Sequence, residues 1–200
     1  MTIEFGTQIV KVDFTDASAN TGVSIYKSGP LETMSGSNIH YDVTGVSNNG
    51  TVALSDFYWR DVLPVDAARI DKIVTGSYNQ SLRYKITAIT NTGRTIIVSD
   101  NLKTTKNNVI DCSNASLGLA NNEYVTSFTF YFGQVSAGFA MVDKAQVYMN
   151  VLQKTFPNGY VFANRCDVGG TYQGEWVISN ATAKTAIYTP TPAVLPKTGE

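Results

Sequence analysis

Tyr124-Val125-Thr126-Ser127-Phe128-Thr129-Phe130-Tyr131-Phe132 places Tyr124, Thr126, Phe128, Phe130 and Phe132 on one face of an extended chain. Val125, Ser127, Thr129 and Tyr131 fall on the other. Successive side chains of a strand point to opposite faces, so a period of two argues for a strand with one apolar side. Leu82, Tyr84, Ile86 and Ala88 alternate in the same way with Arg83, Lys85 and Thr87, and Ala145, Val147, Met149 and Val151 alternate with Lys144, Gln146, Tyr148 and Asn150. Strands with one apolar face require a second layer to cover it, which points to a sandwich. Turn pairs such as Asn49-Gly50 and Asn158-Gly159, amid abundant Thr, Ser, Tyr and Phe, belong to the same antiparallel pattern. The best helical stretch is short, about residues 114–122, with Ser113 as its N-cap. The expected fold class is therefore all-β, an immunoglobulin-like β-sandwich with at most a short helix. Residues 20–188 exceed the roughly 100 residues of an immunoglobulin domain, so extra strands are expected.

Composition narrows the function classes. The chain has 200 residues, 43% of them hydrophobic, enough for one sizeable core. A formal net charge of −1 with 16% charged residues recommends neither nucleic acid nor anionic lipid as a partner. Two cysteines, Cys112 and Cys166, are too few for a disulfide scaffold, and two buried free thiols are expected rather than a pair. Residues 1–19 read as a lead-in from a preceding module, with a strand over Gln8 to Phe14. Residues 189–200 form a Pro/Thr tail that resists packing. The sequence holds neither an apolar run of about 18 residues nor a charged-then-apolar leader, as expected of a trimmed piece of a longer surface protein.

Three polar residues fall on apolar faces. Alternation puts Lys27 with Val23 and Ile25, Asp61 with Phe57, Trp59 and Leu63, and Asn164 with Tyr160 and Phe162. A buried charge without a partner is costly, so such residues meet one another or lie at strand ends. If they meet, an amide bond becomes possible. An apolar site disfavours an ammonium and leaves a nucleophilic amine on Lys27. The same burial keeps the Asp61 carboxyl protonated, able to polarise the Asn164 amide and to shuttle a proton to departing ammonia. The blander alternative has Lys27 snorkelling to solvent, Asp61 capping the turn before Pro64, and Asn164 satisfying a backbone group. Rival choices are Asn180 for the amide, Asp42 or Glu175 for the acid, and Lys72 for the amine.

The tail adds Leu195-Pro196-Lys197-Thr198-Gly199 after Thr189-Pro190-Thr191-Pro192. This resembles the LPxTG sorting signal of Gram-positive cell-wall proteins. The resemblance implies that a sortase transpeptidase cleaves between Thr198 and Gly199 and joins the Thr198 carbonyl to peptidoglycan. The phrases Tyr26-Lys27-Ser28-Gly29, Phe57-Tyr58-Trp59-Arg60-Asp61 and Phe162-Ala163-Asn164 resemble the intramolecular isopeptide domains of Gram-positive adhesins and pilins, particularly the collagen-adhesin (CnaA-type) sandwich. Their spacings, 61 − 27 = 34 and 164 − 27 = 137, suit first, early and late strands of one domain. Residues 39–43 through Asp61-Val62-Leu63-Pro64 also resemble repeat modules of bacterial surface stalks. What these resemblances imply is a wall-anchored surface module of a Gram-positive bacterium, stapled by a Lys27–Asn164 isopeptide bond with Asp61 assisting.

The chain is expected to be no enzyme beyond that single turnover. Its one histidine, His40, sits in an alternating strand without an announced nucleophile. Cys112 and Cys166 lack zinc-type partners, Gly169-Gly170 lacks a following lysine, and Asp100-Asn101 and Asn107-Asn108 read as turns before calcium ligands. No metal and no cofactor is expected. Two other functions are weighed. A sortase-polymerised pilin would use an acceptor lysine such as Lys11. An adhesin domain binding a host matrix protein or glycan would use exposed aromatics such as Tyr172 and Trp176, although a core position is the commoner fate of tryptophan.

Overall fold

The computed structural model describes residues 19–188. The lead-in strand expected over Gln8 to Phe14 and the motif Leu195 to Gly199 lie outside the described residues. Fourteen strands follow in order: β1 (Val23–Ser28), β2 (Glu32–Thr33), β3 (Asn38–Asn48), β4 (Leu54–Val62), β5 (Ala68–Val74), β6 (Ser77–Tyr78), β7 (Arg83–Thr90), β8 (Thr95–Lys103), β9 (Val109–Asp111), β10 (Val125–Val135), β11 (Met141–Asp143), β12 (Ala145–Val151), β13 (Val161–Tyr172) and β14 (Glu175–Ile187). One short helix, α1 (Asn114–Leu117), lies between β9 and β10.

The strands form a five-stranded sheet, β1-β3-β12-β5-β9, and a seven-stranded sheet, β2-β14-β13-β4-β10-β7-β8, with β6 and β11 paired separately. Pairing is antiparallel except for β2 on β14. One continuous core joins inward residues of both sheets, so the fold is an all-β, immunoglobulin-like sandwich with additional strands. On β12, Ala145, Val147, Met149 and Val151 are all buried, as the period of two requires. At the centre the Trp59 ring stacks on Phe130 with centroids 4.1 Å apart and meets Phe128 edge-on at 5.8 Å. Its indole N–H, which has to find an acceptor in so dry a place, donates to the Tyr78 hydroxyl at 2.9 Å.

Local departures from the sequence reading have physical causes. On β10 the core face carries Phe128, Phe130 and Phe132, but Val125 and Ser127 are buried where Tyr124 and Thr126 were expected. A register irregularity between Val125 and Ser127 shifts the phase there. The helix stops at Leu117 because Gly118 adopts a left-handed conformation (φ 61°), and Leu119 N–H then bonds back to the Asn114 carbonyl at 2.8 Å. Ser113 caps it by accepting from Ser116 N–H. Trp59 is core, whereas Trp176 lies on the outer face of the seven-stranded sheet, 55% exposed and edge-on to Tyr58 at 6.0 Å.

The β7–β8 turn is fastened to the loop before β10 by a two-pronged ion pair. Arg94 donates from Nε to Glu123 Oε1 at 2.9 Å and from a terminal nitrogen to Oε2 at 2.7 Å. The Arg94 hydrogen bonds, with help from Thr90, hold the Glu123 carboxyl down to about 2 from its ordinary 4.5. A depressed carboxylate stabilises the fold above its unfolded pKa and loses that contribution as protons are taken up on the way down. Denaturant midpoints are therefore expected to fall between pH 4.5 and 2, and Arg94→Ala should flatten that part of the profile.

Candidate functional site

The three residues come from three strands and both sheets. Lys27 lies on β1, the edge of the five-stranded sheet, opposite Val43 of β3. Asp61 lies on β4 of the facing sheet, in register with Phe128 of β10 and Cys166 of β13. Asn164 lies two residues before Cys166 on β13, opposite Ala183 of β14. Each is there because its strand alternates. Ile25 precedes Lys27 on the inner face, Phe57 and Trp59 precede Asp61, and Phe162 precedes Asn164, all buried. Edge strand β1 also runs close to β13 and β14, which carries Lys27 across the gap between the sheets.

The Lys27 amine donates to Asp61 Oδ2, and both side chains are shielded from water, at 0% exposure each. Asn164 is fully buried as well, and neither its Nδ2 nor its Oδ1 has a hydrogen-bond partner; Asp61 Oδ1 also lacks one. Buried polar atoms are nearly always partnered, so three orphans at one spot call for an explanation. Burial raises the Asp61 carboxyl above its ordinary value. The Lys27 charge, the Lys27 hydrogen bond and, more weakly, the Asn164 amide pull it back only in part. The buried carboxyl is therefore a better proton acceptor than an exposed one, and it lies against the Lys27 amine. The Tyr41 ring sits 5.6 Å from Lys27 Nζ and closes one side. The Cys166 thiol closes another, pushed up to about 11 chiefly by burial.

The side chains of Lys27, Asp61 and Asn164 have no contact with solvent. A groove of about 760 Å³ opens beside Ser28, Gly29, Met34, His40 and Tyr188, but none of the three residues contributes to its wall. Chemistry here would be confined to the protein's own side chains.

The rivals lie elsewhere. Asp42 pairs with Lys144 at 2.7 Å and with Gln146 at 3.0 Å on the outer face of the other sheet. Lys72 lies over the Tyr148 ring at 4.5 Å. Glu175 and Asn180 are exposed. The snorkelling alternative for Lys27 does not hold, because its side chain has no solvent contact. His40 stacks on Tyr148 with centroids 5.1 Å apart and lies 3.6 Å from Asp42. Cys112 and Cys166 are free and buried. Among the described residues no cluster of His, Cys, Asp or Glu could hold a metal, and no helix is long and apolar enough to cross a membrane. Sequence reasoning passed over Tyr41 and Thr185, whose hydroxyls meet at 2.5 Å beside the site.

No protein-family model and no curated protein matches the chain. Among solved structures it is similar to the C-terminal domain of the AgI/II polypeptide BspA from Streptococcus agalactiae, with TM-score 0.40 and 14% identity over 82% of this chain and 50% of that one. It thus spans half the length of that structure. It is also similar to the collagen-binding domain of a Staphylococcus aureus adhesin (TM-score 0.31, 10% identity, 80% of this chain and 97% of that one). A third likeness is to AggA, the major subunit of aggregative adherence fimbriae type I of Escherichia coli (TM-score 0.31, 10% identity, 86% and 96%).

Proposed function

We propose that this chain is a wall-anchored surface module, a stalk or adhesin domain of a Gram-positive bacterium, stapled by an amide bond between Lys27 and Asn164. One observation carries the staple: a buried amine bonded to a buried acid, beside a buried amide whose polar atoms have no partner. The atoms balance without any co-reactant. The Lys27 ammonium passes a proton to Asp61, and the amine attacks the Asn164 side-chain carbon. A C–N bond forms, the bond to Nδ2 breaks, and Nδ2 leaves as ammonia, taking the attacking nitrogen's proton through Asp61. The carboxyl keeps or releases its remaining proton with the departing nitrogen. The product has no free amine to repeat the reaction, so there is a single turnover and no enzyme activity. The dry surroundings favour the neutral species the attack needs.

Anchoring rests on Leu195-Pro196-Lys197-Thr198-Gly199, which a sortase would cut after Thr198. Pro196 fixes one backbone angle and Gly199 leaves the following bond uncrowded. Display of further modules away from the wall is the role both features serve.

The test is an intact mass with peptide mapping. The protein should weigh about 17 Da less than its sequence, the loss of one ammonia, and a digest should contain one branched peptide joining Lys27 to Asn164. In the same sample, sortase and a glycine-amine acceptor should release Gly199-Glu200 and add the acceptor to Thr198. A full sequence mass would end the staple reading, and no transfer would end the anchoring reading.

A further inference from the structure

The strongest unassigned arrangement is a chain of hydroxyls beside the buried amine. The Thr185 hydroxyl, on β14, lies 2.7 Å from the Pro30 carbonyl, which only accepts, so Thr185 donates there. Having one proton, Thr185 must accept from the Tyr41 hydroxyl at 2.5 Å. Tyr41 belongs to β3, Thr185 to β14, and Pro30 to the segment just after β1. The chain therefore ties both sheets to the chain exit three residues beyond Lys27.

The ring of the same tyrosine is held against that exit. A Cβ on Gly29 would lie 2.3 Å from Tyr41 Cδ1 and 2.5 Å from Cε1, closer than atoms can pack, so only glycine lets the backbone lie against the ring. The ring face meets Lys27 Nζ at 5.6 Å. Tyr41 and Thr185 are both fully buried. One end of Tyr41 bounds the amine and the other is locked by a directional hydrogen-bond chain.

We infer that Tyr41 and Thr185, with Gly29 as the space they require, are positioning residues for the cross-linking reaction, holding the Lys27 amine in attacking distance of Asn164. The inference rests on the staple reading above. It assigns neither residue a proton or a bond in the chemistry. Orientation contributes substantially to such a reaction's rate, and misplacement by about 1 Å can cost on the order of a hundredfold.

The full chain made by cell-free synthesis, sampled over time and weighed intact, gives the rate at which the lighter species appears. Thr185→Val keeps the shape but breaks the chain, and should slow conversion at least about tenfold in molecules that circular dichroism shows to be folded. Tyr41→Phe keeps the ring and should slow it similarly. Thr185→Ser restores the hydroxyl and should return the rate to within about twofold of wild type, which a purely structural role would not predict. Folded Thr185→Val and Tyr41→Phe converting at the wild-type rate would overturn the inference and leave the staple standing. So would a failure of both to fold, since the chain would then be structural. A wild-type chain that never loses mass would remove the staple reading itself, and with it this one.

Discussion

Against a wild type joined at Lys27 and Asn164 as proposed, an Asn164→Ala chain is expected to keep its full sequence mass and to unfold about 5 kcal/mol more easily, the value for opening a closed loop of about 140 residues. The loop runs from Lys27 to Asn164, 164 − 27 + 1 = 138 residues. For a domain of this size the shift corresponds to roughly 10–20 °C in melting temperature. Asn164 is the informative position because its polar atoms make no hydrogen bond. Removing them costs at most the weak pull of the Asn164 amide on Asp61, and Lys27 and Asp61 keep each other. The destabilisation therefore reports the covalent tie with little contamination from lost contacts. Thermal melts of the two proteins, each weighed beforehand, settle it. Equal melting temperatures with equal mass deficits would show that the amide of Asn164 takes no part.

Asp61→Ala is expected to do more damage. It removes the proposed proton acceptor, so the chain should stay at full mass. It also leaves the Lys27 amine at 0% exposure without its counter-charge. Stranding one half of a buried pair costs about 3–5 kcal/mol, and this adds to the loss of the tie. The total approaches the whole stability of an ordinary domain, about 5–15 kcal/mol. The variant should be recovered largely unfolded or insoluble. Asp61→Asn, similar in volume and able to accept a hydrogen bond, should fold better but remain uncross-linked. The decisive comparison is the double variant Lys27→Met, Asp61→Ala. With no charge left to strand it should regain a cooperative melt near that of Asn164→Ala, again at full mass. If the double variant were no better than Asp61→Ala alone, the ion pair would not be what Asp61 supplies.

Much of this arrangement was legible in the residues. A period of two places Lys27, Asp61 and Asn164 on inner faces, because nothing in β1, β4 or the first half of β13 interrupts the alternation at those positions. Where the backbone departs from regular pairing, the reading slips. The bulge at Val125 and Ser127 reverses the expected faces, and Gly118 ends a helix that polarity alone would have continued to residue 122. Two-residue strands such as β2 and β6 leave no periodic trace. Which sheet each strand joins is set by pairing across the whole chain, and one-dimensional alternation does not encode it. The same limit hid Tyr41 and Thr185. Tyr41 looks like any aromatic on an apolar face, Thr185 like the other threonine of its strand, Thr182, and the two lie 144 positions apart.

The position of Lys27 near the start of the described chain and of Asn164 near its end has a consequence for extension. With the proposed Lys27–Asn164 bond formed, a pull applied at Ala19 and Tyr188 would pass through it and leave residues 28–163 unloaded. Only residues 19–26 and 165–188 could then pay out, 8 + 24 = 32 of the 170 described. At about 3.4 Å per residue that is roughly 110 Å of contour, against about 580 Å for an untied chain. Such a module would act as a tether of nearly fixed length whatever happened to the hydrogen bonds inside it.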